Sequence, residues 1–296
     1  MNGFDKKFKE YIDYTEKSLE EYNFLTADTQ PQKNLIDAMN YSLSAGGKRI
    51  RPVLVMAFCE AMGTDYRKAK APACAIEMIH TFSLIHDDLP AMDDDDLRRG
   101  KPSCHKAYGE AMAILAGDAL SVLPFEIIAD DTELSPEQKI RIISVLAKAT
   151  GKSGMIGGQV IDIENEVRND VDEENLCNMY RNKTGQLIAV SCVMGCICAG
   201  ADEETIKISA EYGYKLGLAF QIIDDILDVT ASTEEIGKPA GSDIAENKTT
   251  FVTLYGVEKA RKIADRITSE ALECLGKTGN NSFLIKLTEN LLQRKN

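Results

Sequence analysis

Apolar residues recur at helical spacing along almost the whole chain. Residues 75–89 follow the i, i+3, i+4, i+7 rule of one buried helix face, and residues 137–149 repeat it. Residues 211–229 form a longer stretch of the same kind. Strict alternation is missing, and the strand-like residues 51–58 run into alanine-rich sequence. The pattern predicts an all-α fold.

Short breaks rich in glycine, proline and acidic residues separate these stretches at intervals typical of helix connectors. They fall at residues 46–47, 63–65, 100–102, 130–136, 168–172, 200–203, 237–242 and 276–281. No long low-complexity linker divides the sequence. We therefore predict one helical domain over residues 1–296.

Composition narrows the possible partners. Acidic residues outnumber basic ones by 47 to 34, for a net charge of -13, so the surface repels nucleic acids and anionic lipids. The apolar run 187–201 is shorter than the roughly twenty residues that a membrane span needs. Residues 1–24 are charged and amphipathic, unlike a secretory signal. We expect no nucleic acid partner, no membrane insertion and a cytoplasmic location.

The eight cysteines form no C-x-x-C pair, and most lie among apolar residues. Cys192 and Cys196 are four positions apart, but no histidine or further cysteine nearby completes a zinc site. Free thiols buried in a reducing compartment are the simplest interpretation.

Two acidic clusters each follow an apolar helical run, where uncompensated carboxylates would be very costly. The clusters are Asp87, Asp88 and Asp93 to Asp96, and Asp224, Asp225 and Asp228. A solvated acidic face is the usual fate of a charge run, and this alternative stays open for residues 94–96. For the aspartate pairs the apolar context favours bound cations.

The spacing within each cluster suits a shared metal. Asp224 and Asp228 lie on one helix face. Asp87 and Asp93 would point roughly 120° apart on a straight helix, so we expect a kink or bulge at Pro90 to bring them together. Oxygen ligands without histidine or cysteine favour Mg²⁺, which shares its coordination shell with substrate phosphates.

Basic residues suited to an anionic substrate accompany the clusters. Lys48 and Arg51 follow Gly46-Gly47 and are expected on one helical face, where they would bind a diphosphate. Arg98 and Arg99 follow the first cluster, and the alternative that they balance the charge of residues 94–96 stays open. Taken singly, Lys183 and Lys238 would each be explained as an exposed lysine that aids solubility.

Seven motifs, in order along nearly the whole chain, resemble those of the trans-prenyltransferases that make short-chain isoprenyl diphosphates. They are GGKRIRP at 46–52, SLIHDDLPAMDDDDLRRGKPSCH at 83–105, GDAL at 117–120, GGQVIDI at 157–163, KTG at 183–185, FQIIDDILD at 220–228 and GKPAGSDIAENKTT at 237–250. The chain looks most similar to the bacterial farnesyl diphosphate synthases. The resemblance implies a bundle of long antiparallel helices around a deep cavity, and a homodimer.

The resemblance also implies roles for individual residues. Asp87, Asp93 and Asp224 would bind about three Mg²⁺ ions. Arg98, Lys183 and Lys238 would hold the allylic diphosphate. Isopentenyl diphosphate would be bound by Lys48, Arg51, His80 and Arg99, and the reacting centre would be lined by Thr184 and Gln221.

The implied chemistry is the ionisation of an allylic diphosphate. Metal ions and basic side chains would neutralise the departing pyrophosphate, and an apolar cavity would shield the allylic cation from water. The double bond of isopentenyl diphosphate would then attack the cation, and the released pyrophosphate would take up the proton.

Product length is expected to depend on the helix before the first cluster. Phe82 lies about 7.5 Å below Asp87 along the helix axis and would form the floor of the cavity, whereas Ser83 would not. An aromatic residue here is typical of enzymes that make farnesyl diphosphate. Phe82 as an ordinary core residue is the alternative.

Three other functions are alternatives to farnesyl diphosphate synthesis. A geranylgeranyl diphosphate synthase would differ only in cavity depth. A terpene cyclase would have no need for the set Lys48, Arg51 and His80. A non-catalytic subunit of a prenyl synthase would not need both acidic clusters.

Overall fold

The computed structural model describes residues 3–22, 31–230 and 248–292, and helix dominates them. The all-α prediction is confirmed. The α-helices, in chain order, are α1 (Gly3–Tyr22), α2 (Lys33–Leu43), α3 (Ile50–Ala61), α4 (Lys70–Asp87), α5 (Cys104–Tyr108), α6 (Glu110–Asp130), α7 (Pro136–Thr150), α8 (Met155–Glu166), α9 (Glu173–Tyr180), α10 (Gln186–Ala199), α11 (Glu203–Thr230), α12 (Phe251–Tyr255), α13 (Val257–Leu275) and α14 (Ser282–Leu292). A 3₁₀ turn at Tyr66–Ala69 and a π-helical turn at Arg181–Gly185 join neighbouring helices.

Strand is confined, within the described residues, to one small hairpin. Leu97–Arg98 (β1) pairs antiparallel with Lys101–Pro102 (β2). Residues 51–58, whose composition looked strand-like, lie in α3. They are almost fully buried, so tertiary packing overrides their β propensity.

Contacts group the chain into two compact units. The first unit holds residues up to Met56 and residues 65–143, and the second holds residues 57–64 and those from Ser144 onward. A single domain over 1–296 stays a prediction.

The first unit is organised around α4. Its first three turns are buried on every side, which explains why its sequence is apolar throughout rather than along one stripe. The helix packs along α6, and it ends at Asp87, three residues before Pro90.

Helix α6 corrects an expectation about membrane spans. By length and composition it is apolar enough to cross a membrane, and 39% of its apolar window is buried inside the protein. The candidate span is therefore α6 rather than the run 187–201, because the apolar window of α6 continues through Asp118 and Pro124. One such helix is weak evidence for a span, and the absence of membrane insertion stays a prediction.

The second unit is built from α10, α11 and α13. Helix α10 is buried from Leu187 to Cys198, and α11 approaches it closely at two glycines. A Cβ on Gly213 would lie 2.4 Å from the Ala189 Cα, and one on Gly217 would lie 2.8 Å from the Gly185 Cα. Glycine is required at both positions because the opposing atoms belong to the backbone.

Seven of the eight cysteines are buried, and Cys177 is half-buried. This agrees with the interpretation of free, buried thiols.

We expect Gly213→Ala to lower the free energy of unfolding by about 1–3 kcal/mol, the usual cost of forcing volume into a packed core. Gly3→Ala, at a helical position with no atom within 4 Å of the added Cβ, is the control and should change little. Denaturant unfolding followed by circular dichroism measures both. Equal midpoints for the two variants would show that α10 and α11 are not closely packed at Gly213.

Candidate active site

The first acidic cluster lies where α4 ends. We expected a kink or bulge at Pro90. Instead, α4 stops at Asp87 and the chain folds back in tight turns. The Asp93 N–H donates to the Asp87 carbonyl over 2.9 Å, so the two residues meet although they are six positions apart. Asp94 follows with a left-handed φ of 49°. Proline prevents the helix from continuing, and the turn, rather than a kink, brings the backbones of Asp87 and Asp93 together.

Asp88 is the buried member of the first aspartate pair. It is only 2% exposed, and the Arg98 guanidinium donates to both of its carboxylate oxygens. Arg98 also reaches Asp95 over 3.2 Å. The positive charge expected beside this pair is thus supplied in part by the protein. Arg98 does balance one of residues 94–96, while its assignment to the diphosphate stays a prediction.

The glycine-rich loop before α3 carries the first basic residues. Because α3 begins at Ile50, Lys48 precedes the helix, and the expectation that Lys48 and Arg51 share a helical face is wrong. Gly46 and Gly47 have positive φ angles of 81° and 132°, and this backbone stops the helix from starting earlier.

Arg49 anchors this loop, although the motif gave it no role. It is buried with a left-handed φ of 48°. Its Nη1 donates to Glu77 over 2.6 Å, its Nε to Glu16 over 2.7 Å and its Nη2 to the Leu43 carbonyl over 2.6 Å. A buried arginine with this many acceptors has its donors satisfied, so it holds α1, α2 and α4 against the loop.

Arg51, His80 and Arg99 gather beside this anchored loop. The Arg99 guanidinium lies over Gly47, where an added Cβ would come within 2.6 Å of it. Burial lowers the pKa of Arg51 to about 10, and burial together with Arg51 and Arg99 holds the pKa of His80 well below its usual range. Lys48 adjoins Gly47 in the sequence. We call Lys48, Arg51, His80 and Arg99 the basic cluster.

One atom of the basic cluster has an unmet bonding requirement. The Arg51 Nε is buried and has no hydrogen-bond partner among the residues that the structure describes. Positive side chains close together, with a buried donor that lacks an acceptor, are typical of a site that binds an anion.

The second acidic cluster repeats the arrangement of the first, within the second unit. Asp225, only 5% exposed, accepts hydrogen bonds from the Tyr180 hydroxyl over 2.8 Å and from the Phe251 N–H over 3.0 Å. Asp224, its neighbour on α11, is half-buried, and Asp228 is buried. Here too the second aspartate of the pair is held by the protein's own donors.

The π-helical turn after α9 presents Lys183 and Thr184. Lys183 forms an ion pair with Asp162 of the GGQVIDI motif, and the Thr184 hydroxyl donates to the Gln221 amide oxygen over 2.8 Å. Gly158 permits α8 to pack here, because a Cβ would lie 2.1 Å from the Lys183 nitrogen. The structure therefore brings together Thr184 and Gln221, as the prediction requires. Such turns occur often at functional sites.

The residues predicted to set product length, Phe82 and Ser83, both lie on α4. Phe82 is 5% exposed on α4, and Ser83 donates to the His80 carbonyl over 2.9 Å within the same helix. Lys238 lies outside the described residues.

Comparison with known proteins assigns the family. The model of the polyprenyl synthetase family matches residues 32–282. The chain belongs to the polyprenyl synthetase family. It is 46% identical to geranylgeranyl pyrophosphate synthase 12 of Arabidopsis thaliana, over 92% of this chain and 77% of the relative. It is 48% identical to geranylgeranyl pyrophosphate synthase of Catharanthus roseus, over 81% and 67% respectively. Both relatives are named chloroplastic.

A solved structure places the fold of this polyprenyl synthetase among its relatives. An FPP/GFPP synthase from Zymomonas mobilis is 34% identical and superposes with a TM-score of 0.87 over 98% of both chains. The isoprenoid synthase fold implied by the motifs is thereby confirmed.

Four residues that position the site of this synthetase were missed from the sequence. Arg49, Glu77, Asp162 and Tyr180 each contact a site residue or its loop. Glu77, an acidic residue in the wholly apolar part of α4, was the one detectable signal, since a buried carboxylate needs a partner. Arg49 and Asp162 lie within two of the matched motifs but were given no role, and Tyr180 lies in none of them.

The depressed pKa of His80 makes a prediction for stability. The pKa of His80 in the folded state lies below its unfolded value of about 6.5, so His80 costs no stability above that pH. As the pH falls below it, the unfolded state binds the proton more readily, and the free energy of unfolding decreases. We expect the unfolding free energy of the wild type to fall more steeply than that of His80→Gln between about pH 6.5 and 5. Urea unfolding at each pH tests this. Parallel pH profiles for the two proteins would contradict the neutral state of His80.

Proposed function

We propose that this polyprenyl synthetase joins isopentenyl diphosphate to an allylic diphosphate in a Mg²⁺-dependent reaction, with geranylgeranyl diphosphate as the first candidate product. The observation that carries the proposal is the basic cluster, in which His80 and Arg99 lie near Arg51, whose buried Nε has no hydrogen-bond partner among the described residues. A diphosphate supplies the charge and the acceptors that this cluster lacks.

The basic cluster is assigned to isopentenyl diphosphate. Arg51 and Arg99 would supply forked hydrogen bonds, and the neutral His80 would donate one more without adding charge. Arg49 and Glu77 act at a distance from the anion, since they fix the loop that bears Lys48. A terpene cyclase, which takes no second diphosphate, would have no use for such a cluster.

Asp87, Asp93 and Asp224 are proposed as the ligands of Mg²⁺. Among the described residues no three carboxylate, histidine or cysteine side chains are already arranged as a metal site. The donors at the two clusters are carboxylates alone, which fits Mg²⁺, an ion that keeps waters and substrate phosphate oxygens in its shell and needs few protein ligands. When bound, Mg²⁺ would offset the charge of the departing pyrophosphate.

The remaining residues assigned to the reaction come from the chain itself. Arg98 and Lys183 would bind the oxygens of the allylic diphosphate, exchanging part of their present contacts with Asp88 and Asp162 for it. Thr184 and Gln221, already bonded to each other, would orient oxygen lone pairs toward the allylic cation. Lys238 is assigned to the same diphosphate on the resemblance alone.

The product assignment rests on the named relatives. Both plant relatives, 46% and 48% identical, are geranylgeranyl pyrophosphate synthases. The expectation of farnesyl diphosphate as the main product is therefore replaced by the longer product as first candidate.

Farnesyl diphosphate remains the second candidate because of one specific observation. Phe82 fills a buried position on α4 below Asp87 with an aromatic ring. A bulky side chain there would stop the growing chain one isoprene unit earlier.

Assembly and location are proposed on slighter grounds. Ile114, Leu115 and Val122 of α6 are 44%, 51% and 64% exposed, and an apolar face of this kind supports a homodimer. The buried free thiols support a reducing compartment such as the cytoplasm.

Replacing Asp87 tests the metal-dependent reaction. Purified protein with Mg²⁺, isopentenyl diphosphate and dimethylallyl diphosphate should form prenyl diphosphates, and Asp87→Asn should lower kcat by roughly 10²- to 10³-fold, the scale lost when one stabiliser of developing charge is removed. Asp94→Asn is the matched control, because asparagine tolerates its left-handed φ of 49° and its side chain is exposed. A wild type that forms no product under these conditions would support the non-catalytic subunit instead.

Replacing Phe82 tests the floor of the cavity. Phe82→Ala should lengthen the main product by at least one isoprene unit, because the ring no longer blocks the growing chain. Ser83→Ala, at the next position, should leave the product distribution unchanged. Chromatographic sizing of the hydrolysed products distinguishes them, and an unchanged distribution for Phe82→Ala would make Phe82 an ordinary core residue.

A further inference from the structure

His86 occupies a seat on α6 that exists only because residue 117 is glycine. A Cβ at Gly117 would lie 2.1 Å from the His86 Nε2 and 2.4 Å from its Cδ2. The imidazole therefore packs against the backbone of α6 with Nε2 nearest to Gly117, and a side chain at residue 117 would collide with it. The GDAL motif thus has a physical reason for its glycine.

A hydrogen bond fixes the ring in this seat. The His86 Nε2 lies 3.1 Å from the Ile114 carbonyl oxygen. Because a carbonyl only accepts, Nε2 carries the proton in this contact. The Asp118 carboxylate is 3.9 Å away, too far for a hydrogen bond, so the backbone of α6 alone sets the orientation of the ring.

The seated ring in turn contacts Phe82. The two residues lie one turn apart on α4, with ring centroids 5.8 Å apart and planes inclined at 75°, an edge-to-face pair. Phe82 itself is buried, with 5% of its surface exposed. The chain of contacts runs from the backbone of α6 through His86 to Phe82.

We propose that His86, seated on Gly117, is a specificity-determining residue that fixes product length by holding the Phe82 ring in place. The inference rests on the proposed function and on Phe82 as the floor. Without the imidazole, the Phe82 side chain gains room to rotate toward the vacated seat, and the growing chain can pass it. His86 precedes Asp87 directly, so its test must separate product length from turnover.

The experiment compares the products of His86→Ala, His86→Phe and Gly117→Ala in the full-length protein with Mg²⁺, isopentenyl diphosphate and dimethylallyl diphosphate. In His86→Ala and Gly117→Ala the ratio of the next longer product to the wild-type main product should rise roughly two- to tenfold, the scale of one lost aromatic pair. His86→Phe keeps a ring in the seat and should retain the wild-type ratio. Ser121→Ala, one turn along α6, is the control for substitution in that helix.

The double variant shows whether glycine acts through histidine. In the His86→Ala background, Gly117→Ala should cause no further change in the product ratio, because the clash partner is gone. His86→Ala introduces no clash, so it carries the test if Gly117→Ala does not fold.

Two results would overturn the proposal while leaving the proposed function intact. One is a wild-type product ratio in an active His86→Ala enzyme, even with a reduced kcat, which would assign His86 to the positioning of Asp87. The other is a full effect of Gly117→Ala in the His86→Ala background. A wild type that forms no prenyl product would instead contradict the proposed function itself.

Discussion

A buried carboxylate beside an exposed or half-buried one is the constraint on which both acidic clusters depend. Asp88 and Asp225 are each nearly inaccessible, and each is held by the protein's own donors. Arg98, which follows the same cluster, holds Asp88, and the more distant Tyr180 hydroxyl and Phe251 N–H hold Asp225. Removing one partner of a buried ion pair typically costs about 3–5 kcal/mol, so the contact with Arg98 fixes the chain where α4 ends. The preceding aspartate of each pair, which the resemblance assigns to metal, lies beside this fixed neighbour.

The loops that carry the charged residues are held in strained backbone by the same kind of compensation. The three non-glycine residues with left-handed φ among those described are Arg49, Asp94 and Arg99, all within the basic and acidic loops. Such conformations cost on the order of 1–3 kcal/mol each and persist only where surrounding contacts enforce them. The buried contacts of Arg49 with Glu77 and Glu16 supply that enforcement for the glycine-rich loop.

Helix periodicity predicted most of α4, α7 and α11, and the paired aspartates stood out against that pattern. Helix α11 nevertheless begins at Glu203, before the predicted stretch 211–229. The contacts that complete the site could not be predicted, since Tyr180 with Asp225 and Lys183 with Asp162 join residues far apart in sequence and follow no spacing rule. Lys48 was misplaced because two positive-φ glycines delay the start of α3. The apolar pattern also did not predict α6, because Asp118 interrupts its apolar residues.

The most direct test of the central claim is the binding of inorganic pyrophosphate by calorimetry with and without Mg²⁺, in the wild type, Asp87→Asn and Asp88→Asn. If the first aspartate binds metal and the second holds the fold, Mg²⁺ will strengthen binding to the wild type. Asp87→Asn will lose that dependence at an unchanged melting temperature, and Asp88→Asn will lose thermal stability. Equal pyrophosphate affinity with and without Mg²⁺ in the wild type would contradict the assignment.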